Sequence, residues 1–253
     1  MTKIVLSGCN GKMGRVITGL CEERDDVKIV AGIDINDTRY ADFCVYDDAF
    51  QITQKADVLI DFSHPDGLDA LLSFAVERKM PAVIATTGLS AAQKARLEEA
   101  SHEIPIFFSA NMSLGVNLLI DLARRAAKLL EGSFDIEIVE KHHNQKIDAP
   151  SGTALAIADA ISDVLTEKPA YVYDRHSQRK KRTRAEIGLH AVRGGTIVGE
   201  HEVIFAGTDE VIELKHHAAS KEIFAVGAIR AAVYLKNKPA GMYAMKDLVE
   251  SIG

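Results

Sequence analysis

The chain has 253 residues, 47% of them hydrophobic and 26% charged, which excludes disorder as the main state and supplies apolar material for one large or two moderate domains. Its 36 acidic residues outnumber 30 Lys and Arg, and a net charge of -6 has the wrong sign for a protein that neutralises a phosphate backbone, so nucleic acid is not expected as a partner. Cys9, Cys21 and Cys44 cannot all pair and form no C-x-x-C, and no apolar run approaches the ~18 residues of a membrane span, so a reducing cytoplasm without export or membrane insertion is the expected setting.

Residues 3–7 read as a buried strand, followed by a glycine-rich turn, a helix over about 12–23 and a strand over 27–34, which together make a βαβ unit. Residues 57–61 give another apolar strand, and Leu68, Leu71, Leu72 and Ala75 fall on one helical face just after it. A strand over 81–85, a polar helix capped by Ser90 and reaching about 101, and a strand over 104–108 continue the alternation of a doubly wound parallel sheet. Beyond Ser113 the pattern changes. Val116, Leu119, Ile120, Ala123 and Ala127 mark a helix, residues 134–139 a strand, and Ala154, Ile157, Ala158 and Ile161 a second helix over about 152–165. A basic stretch, 175–184, reads as a solvated loop or, as a weaker functional version, a means of concentrating a dianionic substrate. Strands at 186–192, 198–205 and 211–217 follow without helices between them and predict an antiparallel or mixed sheet. The last helix, 220–236, has Phe224, Ala228, Ala231, Ala232 and Leu235 on one stripe and is expected to return to the first domain. The expected class is α/β: a Rossmann-like sheet over 1–113 and 223–253, plus an α+β domain with a mixed open sheet over 114–222.

Gly8-Cys9-Asn10-Gly11-Lys12-Met13-Gly14 lies between the first strand and helix, and Asp34 ends the next strand. Glycines there let the backbone approach a pyrophosphate, the helix N-terminus offers N–H groups, and the acid accepts ribose hydroxyls. The G-x-x-G-x-x-G spacing is one residue longer than the usual fingerprint, and a turn that merely packs helix on strand is the alternative. Phe62-Ser63-His64-Pro65 and Thr86-Thr87-Gly88 follow the C-terminal ends of parallel strands, where open α/β sheets bind ligands, although ordinary turn chemistry explains them equally well. Beyond Asp34 the chain reads Ile35-Asn36-Asp37-Thr38-Arg39, so only Arg39, with Lys12 from the glycine loop, is available for a 2'-phosphate. NADH is expected to be preferred, with NADPH accepted.

The densest polar cluster runs from Glu140 through Lys141, His142, His143, Asn144, Gln145, Lys146, Ile147, Asp148, Ala149 and Pro150 to Ser151, Gly152 and Thr153. Ser151, Gly152 and Thr153 open a helix and present hydroxyls and N–H groups to an anion, and Lys146 adds a positive charge, which together suit a carboxylate. A histidine beside them, with an ordinary pKa near ~6.5, can exchange a proton at neutral pH. A helix cap preceded by a solvated loop is the bland alternative, and zinc is a weaker rival because adjacent His142 and His143 point opposite ways in extended chain. His216 and His217 fit structural roles better than catalytic ones.

E-x-H-H-x-x-K-x-D-A-P-S-G-T-A, here from Glu140 to Ala154, resembles the signature of the dihydrodipicolinate reductase family. The resemblance extends to Gly8–Gly14, D-V-L-I-D-F-S-H-P, Thr86-Thr87-Gly88, N-M-S-L-G-V-N from Asn111, R-G-G-T-I-V-G-E-H from Arg193, and the tail from Gly241 to Asp247. It implies NAD(P)H-dependent reduction of 4-hydroxy-tetrahydrodipicolinate to tetrahydrodipicolinate in lysine and diaminopimelate biosynthesis, with hydride to ring C4 and a proton to C3. It further implies His142 as proton donor, Lys146 as its assistant and a carboxylate ligand, and His143, Ser151, Gly152 and Thr153 as substrate contacts. The cofactor contacts it implies are Gly8, Gly11, Lys12, Met13, Asp34, Phe62, Ala85, Thr86, Thr87, Ser109, Asn111 and Met112; the assembly implied is a homotetramer built on the second domain. Ala85, Lys221 and Cys9 depart from the family pattern without removing a catalytic group. A non-enzymatic NAD(H) sensor and another small-substrate Rossmann dehydrogenase are the competing readings; the sensor leaves the Glu140–Thr153 cluster unexplained.

Overall fold

The computed structural model describes residues 1–252 and divides into two compact units, one formed by residues 1–114 with those from Glu222 onward, the other by Gly115–Lys221. In chain order the first unit begins with β1 (Thr2–Ser7), α1 (Lys12–Glu22), β2 (Val27–Ile33), β3 (Cys44–Tyr46), β4 (Val58–Asp61), α2 (Leu68–Glu77), β5 (Ala82–Ile84), α3 (Ala91–Ser101) and β6 (Pro105–Phe108). These match the alternation expected from the sequence, including the Ser90 cap, which forms a reciprocal pair with Gln93. β3 was not expected, since its three residues are exposed or half-buried and, unlike the three of β5, make no buried apolar run.

The second unit contains α4 (Leu114–Leu130, shared with the boundary), β7 (Asp135–His142), α5 (Gly152–Ser162), β8 (Ala170–Val172), β9 (Glu186–Arg193), β10 (Gly199–Ala206) and β11 (Val211–Ala218). Its strands form a mixed sheet in the order β11-β10-β7-β9-β8, with β10 antiparallel to both neighbours and β7, β9 and β8 parallel. One face packs Ile136, Ile138, Leu189, Val203 and Phe205 against Leu119, Ala123 and Ala127 of α4 and Ala154, Ile157 and Ile161 of α5. β7 runs three residues beyond the expected 134–139 and its side chains alternate strictly, so Glu140 and His142 continue the buried face of Ile136 and Ile138. The basic segment is a loop, as expected, with Arg179, Lys180, Lys181 and Arg184 exposed, but two of its arginines are not simply solvated: Arg182 bonds Asp135 and Glu137 and the carbonyls of Ile136 and Glu186, and Arg175 bonds Glu137 and Glu186.

The chain then returns with α6 (Glu222–Leu235), β12 (Gly241–Tyr243) and α7 (Met245–Ile252) to the first unit, whose sheet has the order β12-β6-β5-β4-β1-β2-β3 with every pair parallel. α1, α6 and α7 cover one face and α2 and α3 the other. Because both faces are covered, the strands read as near-continuous apolar runs. The order reverses direction between β1 and β4, which opens a crevice at their C-terminal ends.

Candidate active site

In the first unit a cavity of about 670 Å³ opens at this reversal, its lining including Gly8, Gly11, Asp34, Phe62, Ser63 and His64. Gly8 has φ +74, a conformation that favours glycine, and a Cβ at Gly14 would lie 2.3 Å from the Gly8 carbonyl oxygen, so helix and loop approach as only glycines permit. Gly11 caps α1 without a side-chain bond and no acid occupies the first turn, which leaves the helix N–H groups and their positive dipole end for an anion. Asp34 lies just past β2. Its two oxygens accept the N–H groups of Asn10 and Asn36 at 2.9 and 3.1 Å, fixing the carboxylate at the crevice edge. These residues fit a dinucleotide.

The other expected cofactor residues fall into different settings. Lys12 and Thr87 are exposed, Met13 and Phe62 are half-buried, and Ala85 is buried with its N–H on the Asp61 carbonyl. Thr86 is also buried, its hydroxyl donating to the buried Asp61 carboxylate at 2.6 Å, while the Ser63 N–H holds the other oxygen at 3.0 Å. Ser109 and Asn111 shape a tight turn, and Met112 is packed in the core beside α6. Arg39 is turned onto Asp42 and the Ala41 carbonyl.

In the second unit the chemistry gathers on the buried face of β7. Glu140, fully buried, accepts a bidentate pair from Arg193, both bonds 2.7 Å, the Ser151 N–H at 2.9 Å and the His142 Nδ1 at 2.6 Å. Burial alone pushes this carboxyl up, but Arg193, His142 and the Ser151 N–H together outweigh it and hold it below the usual carboxylate range. His201 of β10 stands edge-on to His142, ring centres 5.2 Å apart, with its Nε2 3.0 Å from the Ser151 hydroxyl. Burial, reinforced by the neighbouring His142, drives His201 down to about 4. The Ser151 hydroxyl also caps the Ala154 N–H at the start of α5.

Lys146 and Asp148 form a 2.7 Å ion pair, and Lys146 together with the nearby Asp148 and Gly152 N–H groups holds the Asp148 carboxyl low. His143 is half-buried, Gly152 exposed and Thr153 half-buried. The structure thus gathers His142 and Ser151 around Glu140 and leaves His143, half-buried, just past the end of β7. Glu140, Arg193 and His201 received no role from sequence reasoning, although all three lie in motifs it quoted. The β7–β9 and β10–β7 registers, which set Arg193 opposite His142 and His201 opposite Glu140, were the missing signal. His216 faces inward and half-buried, while His217 is exposed and pairs with Glu200. Among the described residues no three His, Cys, Asp or Glu side chains converge as a metal site needs.

The chain matches the family models described as dihydrodipicolinate reductase, N-terminus, over residues 2–112 and dihydrodipicolinate reductase, C-terminus, over residues 115–249. It is 56% identical over 250 residues to the 4-hydroxy-tetrahydrodipicolinate reductase of Caldanaerobacter subterraneus subsp. tengcongensis, covering 99% of each chain. It is 51% identical over 251 residues to that of Clostridium tetani, covering 99% of this chain and 98% of the relative. In fold it resembles the dipicolinate-bound dihydrodipicolinate reductase from Paenisporosarcina sp. TG-14, with a TM-score of 0.79 at 23% identity over 96% of this chain and 97% of that one. One family accounts for both the crevice-bearing first unit and the histidine-bearing second, and the chain belongs to it, the dihydrodipicolinate reductases, which are oxidoreductases.

Proposed function

We propose that the protein reduces 4-hydroxy-tetrahydrodipicolinate to tetrahydrodipicolinate with NAD(P)H, releasing water, as a step of lysine and diaminopimelate biosynthesis, and that His142 donates the proton. The observation that carries this reading is the cluster on β7: an imidazole tied through Nδ1 to a buried carboxylate, with Nε2 making no hydrogen bond among the described residues, beside a lysine and the start of α5. Loss of water, in which the C4–OH bond and a C–H bond of the neighbouring C3 break, leaves a ring double bond; bound NAD(P)H would supply the hydride for C4, and His142 delivers the matching proton to C3 from Nε2 and is recharged from solvent. Lys146 exchanges Asp148 for a substrate carboxylate, and the N-terminus of α5 with Gly152 and Thr153 receives the other. His143 contacts the substrate. Dipicolinate, the ligand named for the Paenisporosarcina relative, is likewise a ring with two carboxylates.

For the cofactor, Asp34 favours NADH, and with Arg39 engaged by Asp42 a 2'-phosphate is left to exposed Lys12 of the glycine loop. NADH is preferred and NADPH accepted. A homotetramer through the second unit is part of the same reading, supported by Val192, Val211 and Ile212, which are 44%, 58% and 38% exposed on strands of the mixed sheet. Steady-state NADH and NADPH oxidation with freshly generated substrate, at low and high salt, tests the activity. No turnover with either nucleotide overturns it, and NADPH winning at both salts overturns the cofactor preference. Sedimentation of a stable monomer at micromolar concentration overturns the tetramer.

A further inference from the structure

We infer that Glu140, clamped by Arg193, is a positioning residue that dictates which nitrogen of His142 exchanges a proton with the substrate, an inference that rests on His142 being the proton donor. The alternation of β7 puts Glu140 and His142 on one buried face, and the parallel register sets Arg193 of β9 opposite His142, from where its guanidinium reaches back to Glu140. Three of the four groups on the Glu140 carboxylate, two guanidinium N–H groups and the Ser151 N–H, can only donate. An ionised carboxylate so occupied has one acceptor direction left, on Oε2, and His142 Nδ1 fills it at 2.6 Å. Nδ1 therefore carries a proton whether the ring is neutral or charged.

The exchangeable position is then Nε2. A Cβ at Gly199 would lie 3.1 Å from this atom, so the smallest residue borders the nitrogen that must meet the substrate. The other charged or titratable groups around the ring are His201 edge-on from β10 and, beyond it, His216 from β11 and Lys146 from the following loop. Among the described residues none of them bonds a ring nitrogen of His142, which leaves Glu140 as its orienting contact. Arg193 helps to keep Glu140 ionised despite its burial.

The test is the ring ¹⁵N spectrum of the full-length enzyme labelled at histidine, with the His142 signals identified by their loss in His142→Gln. Above the ring's titration the Nδ1-protonated pattern is expected in the wild type; the Nε2-protonated form there overturns the inference without any variant at Glu140. Glu140→Gln, whose amide cannot accept from all four donors, is expected to lower kcat on the order of 10²-fold with the NADH Kd within about twofold, and to move the imidazole limb of the kcat/KM profile about one pH unit lower. A variant with lowered kcat but a wild-type pH profile makes Glu140 merely structural and overturns the proposal. If His142→Gln instead keeps wild-type turnover, it is the proton-donor reading that fails, and the spectrum still reports the tautomer.

Discussion

Arg193→Met keeps the aliphatic stem and removes the fork that satisfies Glu140. The carboxylate, fully buried, would then hold only the Ser151 N–H and His142 Nδ1. Stranding a buried charge typically costs ~3–5 kcal/mol, but Glu140 can escape by taking up a proton. From an ordinary value of 4.5, protonation at pH 7 costs about 3.4 kcal/mol and falls by about 1.4 kcal/mol for each pH unit toward acid, so it sets a ceiling on the charge penalty. In the wild type the folded-state value is below 4.5, so Glu140 contributes stability that is fully present above that pH and is lost as pH falls through the depressed value. In Arg193→Met the folded value moves above 4.5 and the sign reverses: the variant recovers as the pH falls. Urea unfolding at pH 5, 6, 7 and 8 at one protein concentration should show a loss of about 3 kcal/mol at pH 7 that shrinks to about 1 kcal/mol at pH 5. The double variant Glu140→Gln/Arg193→Met should lose less than Arg193→Met alone. A pH-independent loss, or one below about 1 kcal/mol at pH 7, would refute the argument that a buried charge is what Arg193 compensates.

His142→Gln should cut kcat by ~10² to 10⁴-fold while the NADH Kd, measured by fluorescence titration, stays unchanged; equal losses in both assign His142 to folding instead. Lys146→Ala should raise KM and lower kcat together, because the lost contact both binds the substrate and orients it, and unchanged kinetics would remove Lys146 from the site. His201 is depressed from 6.5 to about 4 by burial, so the unfolded chain takes up its proton first and stability drains as pH falls from 6.5 toward 4, by ~3 kcal/mol in total. His201→Gln should flatten this part of the stability profile in thermal scans, and a profile as steep as the wild type would locate the acid sensitivity elsewhere.

Most of the architecture was legible because hydrophobic period is a local property. The apolar runs of β1, β4, β5 and β6 and the stripes of α2, α4 and α5 name their own elements and their buried faces. β3, β8 and β12 are as short as β5 but lack its run of buried apolar residues, and α7 is a strongly amphipathic stretch of only eight residues, so all four exist because a neighbouring strand or core accepts them. Polar composition ended the expected β7 at 139, whereas its backbone alternates as far as His142.

The extra residues of β7 mark where local pattern stops being informative and long-range strand pairing takes over. The residue types and their spacing put a histidine, a lysine and an S-G-T turn within one short segment, enough to expect proton exchange beside a bound carboxylate. Nothing local states that Glu140 is buried, or that it meets Arg193 from β9 while His201 arrives from β10. A charge is tolerated on an apolar face only when partners satisfy it, and those partners are supplied by the register of strands far apart in the chain.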